Sequence, residues 1–256
     1  MLAIERKLEI LQKLRAEQRV LVSDLAVHYG VTEETIRRDL DKLEKEGYAT
    51  KTYGGAILGN STKTDLSYTI RNKTNVEAKN AIAEIVSRLI QDGDHLMLDD
   101  SSTSLFITRR LKEHKNLTVI TNSIEIILEL QDTEGWTVLS TGGRLKPESL
   151  AFVGNQTIDM LQKYHVDKAI ISCKGLDIQN GITDSSEFHA LTKQTMLSCA
   201  AQKILAIDSS KMDKTSFVRI APADALDLIV TDRNPDERWQ SFLDGIHVDC
   251  LSAVRK

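Results

Sequence analysis

Nowhere does the chain contain the run of about eighteen apolar residues that a membrane-spanning helix needs. No membrane span is expected. The opening MLAIERKLEILQKL is charged and amphipathic, with no apolar core or small-residue cleavage site. It does not read as a secretory signal. Cysteine is scarce: Cys173, Cys199 and Cys250 are odd in number and far apart. They form neither a disulfide framework nor a zinc pattern, and they read as reduced thiols of a cytoplasmic protein. The six histidines are scattered, so no metal and no cofactor is expected. A basic excess is also missing. The 33 Lys and Arg against 37 Asp and Glu leave a formal charge of −4, and the first sixty residues are close to balance too. Bulk charge therefore gives no support to a nucleic-acid partner, and any such case rests on where the charges sit. What remains is ordinary for a globular protein: 256 residues, 41% hydrophobic and 27% charged. That is room for one small and one medium domain with a real core.

Residues 19–58, RVLVSDLAVHYGVTEETIRRDLDKLEKEGYATKTYGGAIL, carry the clearest pattern. A helix over Ala3–Glu17 precedes them, with Ile4, Leu8, Leu11 and Leu14 at helical spacing and Ile10 flanking. Ser23 is expected to cap a second helix, with Asp24 in its first turn. Gly30 ends that helix, because glycine tolerates the left-handed conformation. Thr32 caps a third helix, which places Ile36, Leu40 and Leu43 on one face. At about 100° per residue, Arg38 and Lys45 point nearly opposite that face, with Thr35 and Lys42 to one side and Arg37 on the flank. Arginines so placed can pair with guanine edges or phosphates. Equally, the charges can simply form (i, i+4) pairs, such as Arg38 or Lys42 with Asp41 or Glu46. A strand over Tyr48–Thr52, a turn at Gly54-Gly55 and a return over Ala56–Leu58 complete a wing. Lys51, Thr52 and Tyr53 lie near its tip, within reach of backbone phosphates. A helix-turn-helix with a wing is a shape that enters the DNA major groove.

The stretch VTEETIRRDLDKLEKEGYATKTYGGAIL resembles the N-terminal signature of the DeoR family of bacterial transcriptional regulators, a TIRRDL helix followed by a GGA wing turn. The resemblance implies that the third helix reads an operator. Thr35, Arg37, Arg38 and Lys42 are then the leading DNA contacts, and Ser23, Lys51 and Tyr53 are secondary phosphate contacts.

Residues 59–65, GNSTKTD, are small and polar and read as a boundary. The segment to Asn75 reads as a connection, so 59–75 is taken as a partly flexible linker between 1–58 and 76–256. From Val76 onward helices and strands alternate. Helices are expected over Val76–Gln91, Leu105–Leu111, Ile124–Leu130, Ile158–Tyr164 and Phe188–Ala201. Strands are expected over His95–Leu98, Leu117–Ile120, Trp136–Leu139, Ala169–Cys173, Ile204–Ile207, Leu226–Val230 and Val248–Leu251. This alternation predicts an α/β fold, a Rossmann-like and mainly parallel sheet with helices on both faces. Ligands of such sheets bind beyond the carboxyl ends of the strands.

The polar residues gather at those ends. Asp99-Asp100-Ser101-Ser102-Thr103-Ser104 follows the first strand of this region and precedes a helix, a natural anion cradle. Thr121-Asn122-Ser123 follows the second. Thr141-Gly142-Gly143-Arg144 follows the third, where glycines let backbone approach a ligand. Lys174-Gly175 and the loop Gly181–Glu187 follow the fourth, and Asp208–Lys211 the fifth. Taken singly, these are ordinary helix caps and turns. Taken together, they suit a small, hydroxylated, phosphorylated ligand.

The stretches DGDHLMLDDSSTSL, LTVITNS, TGGRLKPESLAFVG, VDKAIISCKGLDIQNGITDSSE and ILAIDSSKMDKTSFVRI are similar to the effector domain of the same family. That domain shares its fold with ribose-5-phosphate isomerase and glucosamine-6-phosphate deaminase. The resemblance implies a sugar phosphate held by Asp99 to Ser104, by Thr121, Asn122 and Ser123, and by Gly142 and Gly143. Glu187 and Lys193 would add a carboxylate and a cation, although Lys193 also reads as an ordinary surface lysine. Two positions depart from the family pattern: Asp100, where a small residue is usual, and Lys174, where Asp or Asn is common.

The expected function is a regulator of a carbohydrate operon, released from operator DNA by a sugar phosphate. It would act as a homo-oligomer, dimer or tetramer, because paired recognition helices read half-sites. The alternative is a sugar-phosphate isomerase or deaminase on the same fold, with Glu187 as base and Lys193 as anion holder. A winged helix has no use in such an enzyme, and no convincing acid–base pair is present. A DNA binder without a sensor is a third reading, which leaves the polar loops unexplained.

Overall fold

The computed structural model describes residues 2–45, 48–58 and 68–253. Residues 59–67 of the expected linker, with Glu46 and the Lys45 side chain, lie outside the described residues. The chain divides into two compact units, Met1–Leu66 and Ser67–Lys256.

The first unit holds α1 (Ala3–Glu17), β1 (Arg19–Leu21), α2 (Val22–Tyr29), α3 (Glu33–Lys45), β2 (Ala49–Thr52) and β3 (Gly55–Leu58). Its core is the apolar side of each element: Ile10, Leu11 and Leu14 of α1, Leu25 of α2, and Ile36, Leu40 and Leu43 of α3, all buried. Ile4, by contrast, is exposed. Gly30 closes α2 with φ 62°, as its position in the sequence demanded. The Thr32 hydroxyl accepts the Thr35 N–H at 3.3 Å and caps α3. Ser23 does not cap α2. The strand β1, paired with β3, holds residues 19–21 extended and fixes the helix start at Val22, whose N–H donates to Gly54 O at 2.9 Å. Ser23 therefore sits inside the first turn, where its hydroxyl donates to Asp24 at 3.1 Å. A buried ion pair ties α1 to α3: Arg6 Nε lies 2.6 Å from Asp39 Oδ2.

The second unit opens with α4 (Tyr68–Lys73) and α5 (Val76–Ser87) and then builds a sheet. Its strands are β4 (His95–Leu98), β5 (Thr118–Thr121), β6 (Thr137–Ser140), β9 (Val166–Ile171), β12 (Ala200–Ala206), β14 (Leu228–Thr231) and β15 (Asp249–Ser252). Their order is β15-β14-β12-β9-β4-β5-β6, and every pairing is parallel. Helices α6 (Ser102–Leu111), α7 (Ile124–Glu129), α8 (Asn155–Leu161), α9 (Glu187–Ser198) and α10 (Glu237–Gly245) cover the two faces. Strand residues alternate between those faces. Leu96, Leu98, Ile170 and Ile204 join α5 and α6 in one core. Met97, Ile171 and Leu205 join Leu161, Met196 and Trp239 in the other.

Several expected boundaries move. α5 stops at Ser87 rather than Gln91, because the following residues close three-residue turns: Leu89 N–H to Val86 O and Ile90 N–H to Ser87 O. α6 begins at Ser102, not Leu105. The Ser101 hydroxyl accepts the Ser104 N–H at 3.0 Å and caps it, so Ser102, Thr103 and Ser104 form a helical turn rather than a loop. Two small antiparallel sheets were not foreseen. One is the hairpin β7 (Arg144–Lys146) and β8 (Ala151–Val153). The other joins β10 (Gly175–Asp177), β11 (Gly181–Asp184) and β13 (Val218–Ala221), so the first half of the expected Gly181–Glu187 loop is strand.

From β4 the chain steps outward through β5 to β6. It then crosses back to β9 and steps the other way through β12, β14 and β15. The reversal lies between β4 and β9, and an open α/β sheet binds its ligands at such a point.

Candidate functional site

The carboxyl ends of β4 and β9 meet over a buried polar cluster. Asp99 is fully buried and fully engaged. Its Oδ1 accepts the Ser104 hydroxyl at 2.6 Å and the Ser101 N–H at 3.2 Å. Its Oδ2 accepts the Ser172 N–H at 2.9 Å and lies 3.4 Å from Lys193 Nζ. Lys193 also donates to Asp184 Oδ2 at 2.5 Å. Lys193 is 5% exposed, which removes its reading as a surface lysine. Burial works against its charge, but Asp184, Asp99 and Asp100 outweigh burial and hold it protonated well above the usual lysine range. Burial likewise opposes ionisation of Asp184, while Lys193 and Lys174 keep that carboxyl low.

Asp100 faces a second line of groups. His189 Nδ1 is 3.2 Å from its Oδ2, and Asn122 Nδ2 is 3.4 Å from its Oδ1. On the far side of the imidazole, Nε2 meets Lys146 Nζ at 3.2 Å, and Lys146 also reaches the Ser186 hydroxyl at 3.3 Å. Burial again opposes the Asp100 charge, yet the nearness of His189, then Lys193 and Arg71, holds its carboxyl far below the usual range.

The other expected residues divide. Thr121 and Ser123 are buried and spent locally: the Thr121 hydroxyl donates to Leu98 O at 2.7 Å, and Ser123 caps α7. Gly142 is left-handed with open space beside it. Gly143 makes its close approach to the protein itself, since a Cβ there would stand 2.5 Å from Thr157 Oγ1. Lys174 is half-buried, and its N–H donates to Thr183 O at 2.9 Å. Glu187 is exposed at the start of α9 and is not part of the cluster.

Sequence reasoning did not single out Lys79, Lys146 or His189, and it included Asp184 only as part of the Gly181–Glu187 loop. Two of them left a signal. His189 and Lys193 are four apart on α9 and share its inner face. Lys79 falls at helical spacing with Ile82 and Val86, in an otherwise apolar stripe. It is 4% exposed. Its ammonium donates to the carbonyls of Arg71 and Thr74, the latter at 2.6 Å, and so holds the end of α4. Burial pushes it down to about 8; Asp208 opposes this, and the cations Lys211, Arg71 and Lys174 add to it.

In the first unit, the exposed side of α3 carries Arg37, Arg38 and Lys42. The arginines are held by acids one turn back. Arg37 meets Glu33 at 2.7 Å and Arg38 meets Glu34 at 3.4 Å. Both arginines remain more than half exposed in their side chains, so such pairs are weak and exchangeable. The Thr35 hydroxyl is shared with Thr32 at 3.0 Å. Lys51 is bound back to α3, its ammonium on Asp41 and its N–H on Glu44 Oε1 at 2.8 Å. Tyr53 stands fully exposed beside the wing turn.

Among the described residues no helix is long and apolar enough to cross a membrane, and no side-chain cluster suits a metal ion. Two family models match the chain: the DeoR-like helix-turn-helix domain over residues 6–62 and the DeoR C terminal sensor domain over 74–233. The chain is 39% identical to the uncharacterized HTH-type transcriptional regulator YulB of Bacillus subtilis, over 92% of this chain and 91% of that protein. It is 37% identical to the HTH-type transcriptional repressor GlcR of the same organism, over 96% and 95%. It is 32% identical to the L-fucose operon activator of Haemophilus influenzae, over 91% and 93%. Among solved structures, ribose 5-phosphate isomerase A of Methanocaldococcus jannaschii aligns with TM-score 0.40 and 17% identity, over 54% of this chain and 55% of that one. A likeness this loose says nothing about ligand or chemistry. The chain belongs to the DeoR family of DNA-binding transcriptional regulators, and it is a regulator rather than a sugar-phosphate isomerase.

Proposed function

We propose that this regulator represses a carbohydrate operon and releases its operator when a phosphorylated sugar binds at the β4–β9 reversal. The supporting observation is the polar cluster itself. It lies where parallel sheets bind ligands, and it combines a helix amino terminus, buried carboxylates and cations. The anionic end of the ligand belongs on the β9–β12 side, where Lys174 and Lys211 stand with Arg71 near Lys79. Relatives named as a transcriptional repressor and as a sugar-operon activator support the class of gene controlled. Repression is the sign adopted here.

On this reading α3 lies in the major groove, with Thr35, Arg37, Arg38 and Lys42 toward the bases and phosphates. Ser23, Lys51 and Tyr53 approach the backbone. Residues 1–58 read DNA, 59–75 connect, and 76–256 sense the effector and pair the chains in the cytoplasm. Effector binding favours the DNA-free arrangement and shifts the population toward it. The test is a footprint of the full-length protein on the region upstream of its own gene. Protection should cover a dyad and disappear with a sugar phosphate in the panel. Absence of any protected dyad overturns the reading.

A further inference from the structure

We infer that Asp100 and Asn122 together receive the ammonium group of an amino-sugar phosphate, which makes them the residues that choose the effector. The inference rests on the reading of this polar cluster as the effector site. It begins with an orphan. Asn122 is completely buried, and its side-chain Oδ1 has no hydrogen-bond partner. The amide cannot simply be turned over, because Nδ2 already faces two acceptors: Phe152 O at 3.1 Å and Asp100 Oδ1 at 3.4 Å. The missing partner of Oδ1 must therefore be a donor. A buried polar atom left without one is costly, and a donor on a ligand would complete it.

Asp100 adjoins it. Its carboxylate is 4% exposed, and its hydrogen-bond partners are Asn122 and His189, at 3.2 Å or longer. The His189 imidazole presents Nδ1 to Asp100 and Nε2 to Lys146 Nζ. The buried ammonium of Lys193 is spent on Asp184 and Asp99. Three buried carboxylates thus share one buried ammonium, and Asp100 is the one left without direct contact to it. A hydroxyl has a single hydrogen, enough for Asn122 Oδ1 or for Asp100 but not for both. An ammonium has donors for both and sets a positive charge directly beside the Asp100 carboxylate.

The test compares glucosamine, galactosamine and mannosamine 6-phosphates with glucose, galactose and mannose 6-phosphates. Binding is measured by titration calorimetry on the full-length chain at pH 7. At least one amino sugar should bind about tenfold or more tightly than its hydroxyl counterpart, a difference of about 1.4 kcal/mol. Asp100→Asn should erase that preference by weakening the amino sugar alone, and Asp100→Ser should do the same if the uncharged amide disturbs the fold. Equal or tighter binding of the hydroxyl sugars, or a preference that survives both variants, overturns the ammonium inference and leaves the sugar-phosphate reading standing. Binding of neither class overturns both.

Discussion

The Asp99 carboxylate accepts the backbone N–H of Ser172 at 2.9 Å and so bolts the carboxyl end of β4 to that of β9. This one bond spans the point where the strand order reverses. It turns the seam between two half-sheets into a fixed floor for the polar cluster. Lys193 presses on the same oxygen from α9 at 3.4 Å and is held in turn by Asp184.

Lys193→Met should therefore destabilise the sensing unit strongly. It leaves Asp99 and Asp184 buried without their ammonium, a loss on the order of 3–5 kcal/mol. Urea denaturation at neutral pH measures it. A change below about 1 kcal/mol, within the range of an exposed ion pair, would contradict the description of this cluster as buried and interdependent.

Lys79 predicts a pH dependence. Burial and neighbouring cations push it from its ordinary 10.5 down to about 8. Between those values the unfolded chain binds more protons than the folded one, so stability rises with pH across that window. The contribution is fully present above 10.5 and is lost as pH falls through about 8. Its size is on the order of 3 kcal/mol. Unfolding free energies from pH 7.5 to 10.5 should show this slope in the native protein, and Lys79→Met should flatten it. Parallel slopes would refute the assignment.

On α3, Arg38→Ala should cost about 1–3 kcal/mol of operator affinity and relax specificity at the position it reads. Lys42→Ala should weaken binding to all sequences alike and lower the salt dependence by about one unit. Fluorescence anisotropy at several salt concentrations separates the two. If both changes leave operator affinity intact, α3 is not the reading helix.

Thiol chemistry gives an independent check on the core. Burial pushes Cys173 up to about 12 and Cys250 up to about 11. At pH 8 iodoacetamide should leave Cys173 unmodified in the folded protein and label it fully in urea, as read by peptide mass mapping. Rapid labelling of folded protein would show that the β9 loop opens far more than described.

Much of this architecture was readable before any coordinates. Runs such as LML in β4 and AII in β9 are continuous and apolar because both faces of a central parallel strand are covered. The third helix was legible because Ile36, Leu40 and Leu43 keep one face over a whole element. The small sheets were not legible. β7 and β10 have three residues each, carry charged ends and gain their pairing from partners several residues away. Local pattern holds no trace of that. Within the site, the loops were found and their occupants were half right. Glu187 begins α9 but turns to solvent, whereas His189 turns inward with Lys193, a difference set by helix phase. Ser23 looked like a cap because hydroxyls at that position often are; the tertiary pairing of β1 with β3 moved the helix start instead.

The most direct test of the whole account is operator affinity of the full-length chain, measured by anisotropy on its own upstream dyad with and without phosphorylated sugars. The account predicts tight, sequence-specific binding that weakens at least about 100-fold with one phosphorylated sugar. An effector favouring the DNA-free state by a similar factor produces that loss. The unphosphorylated sugar should have no effect. Sequence-specific binding that no phosphorylated sugar alters, or no specific binding under any condition, would contradict it.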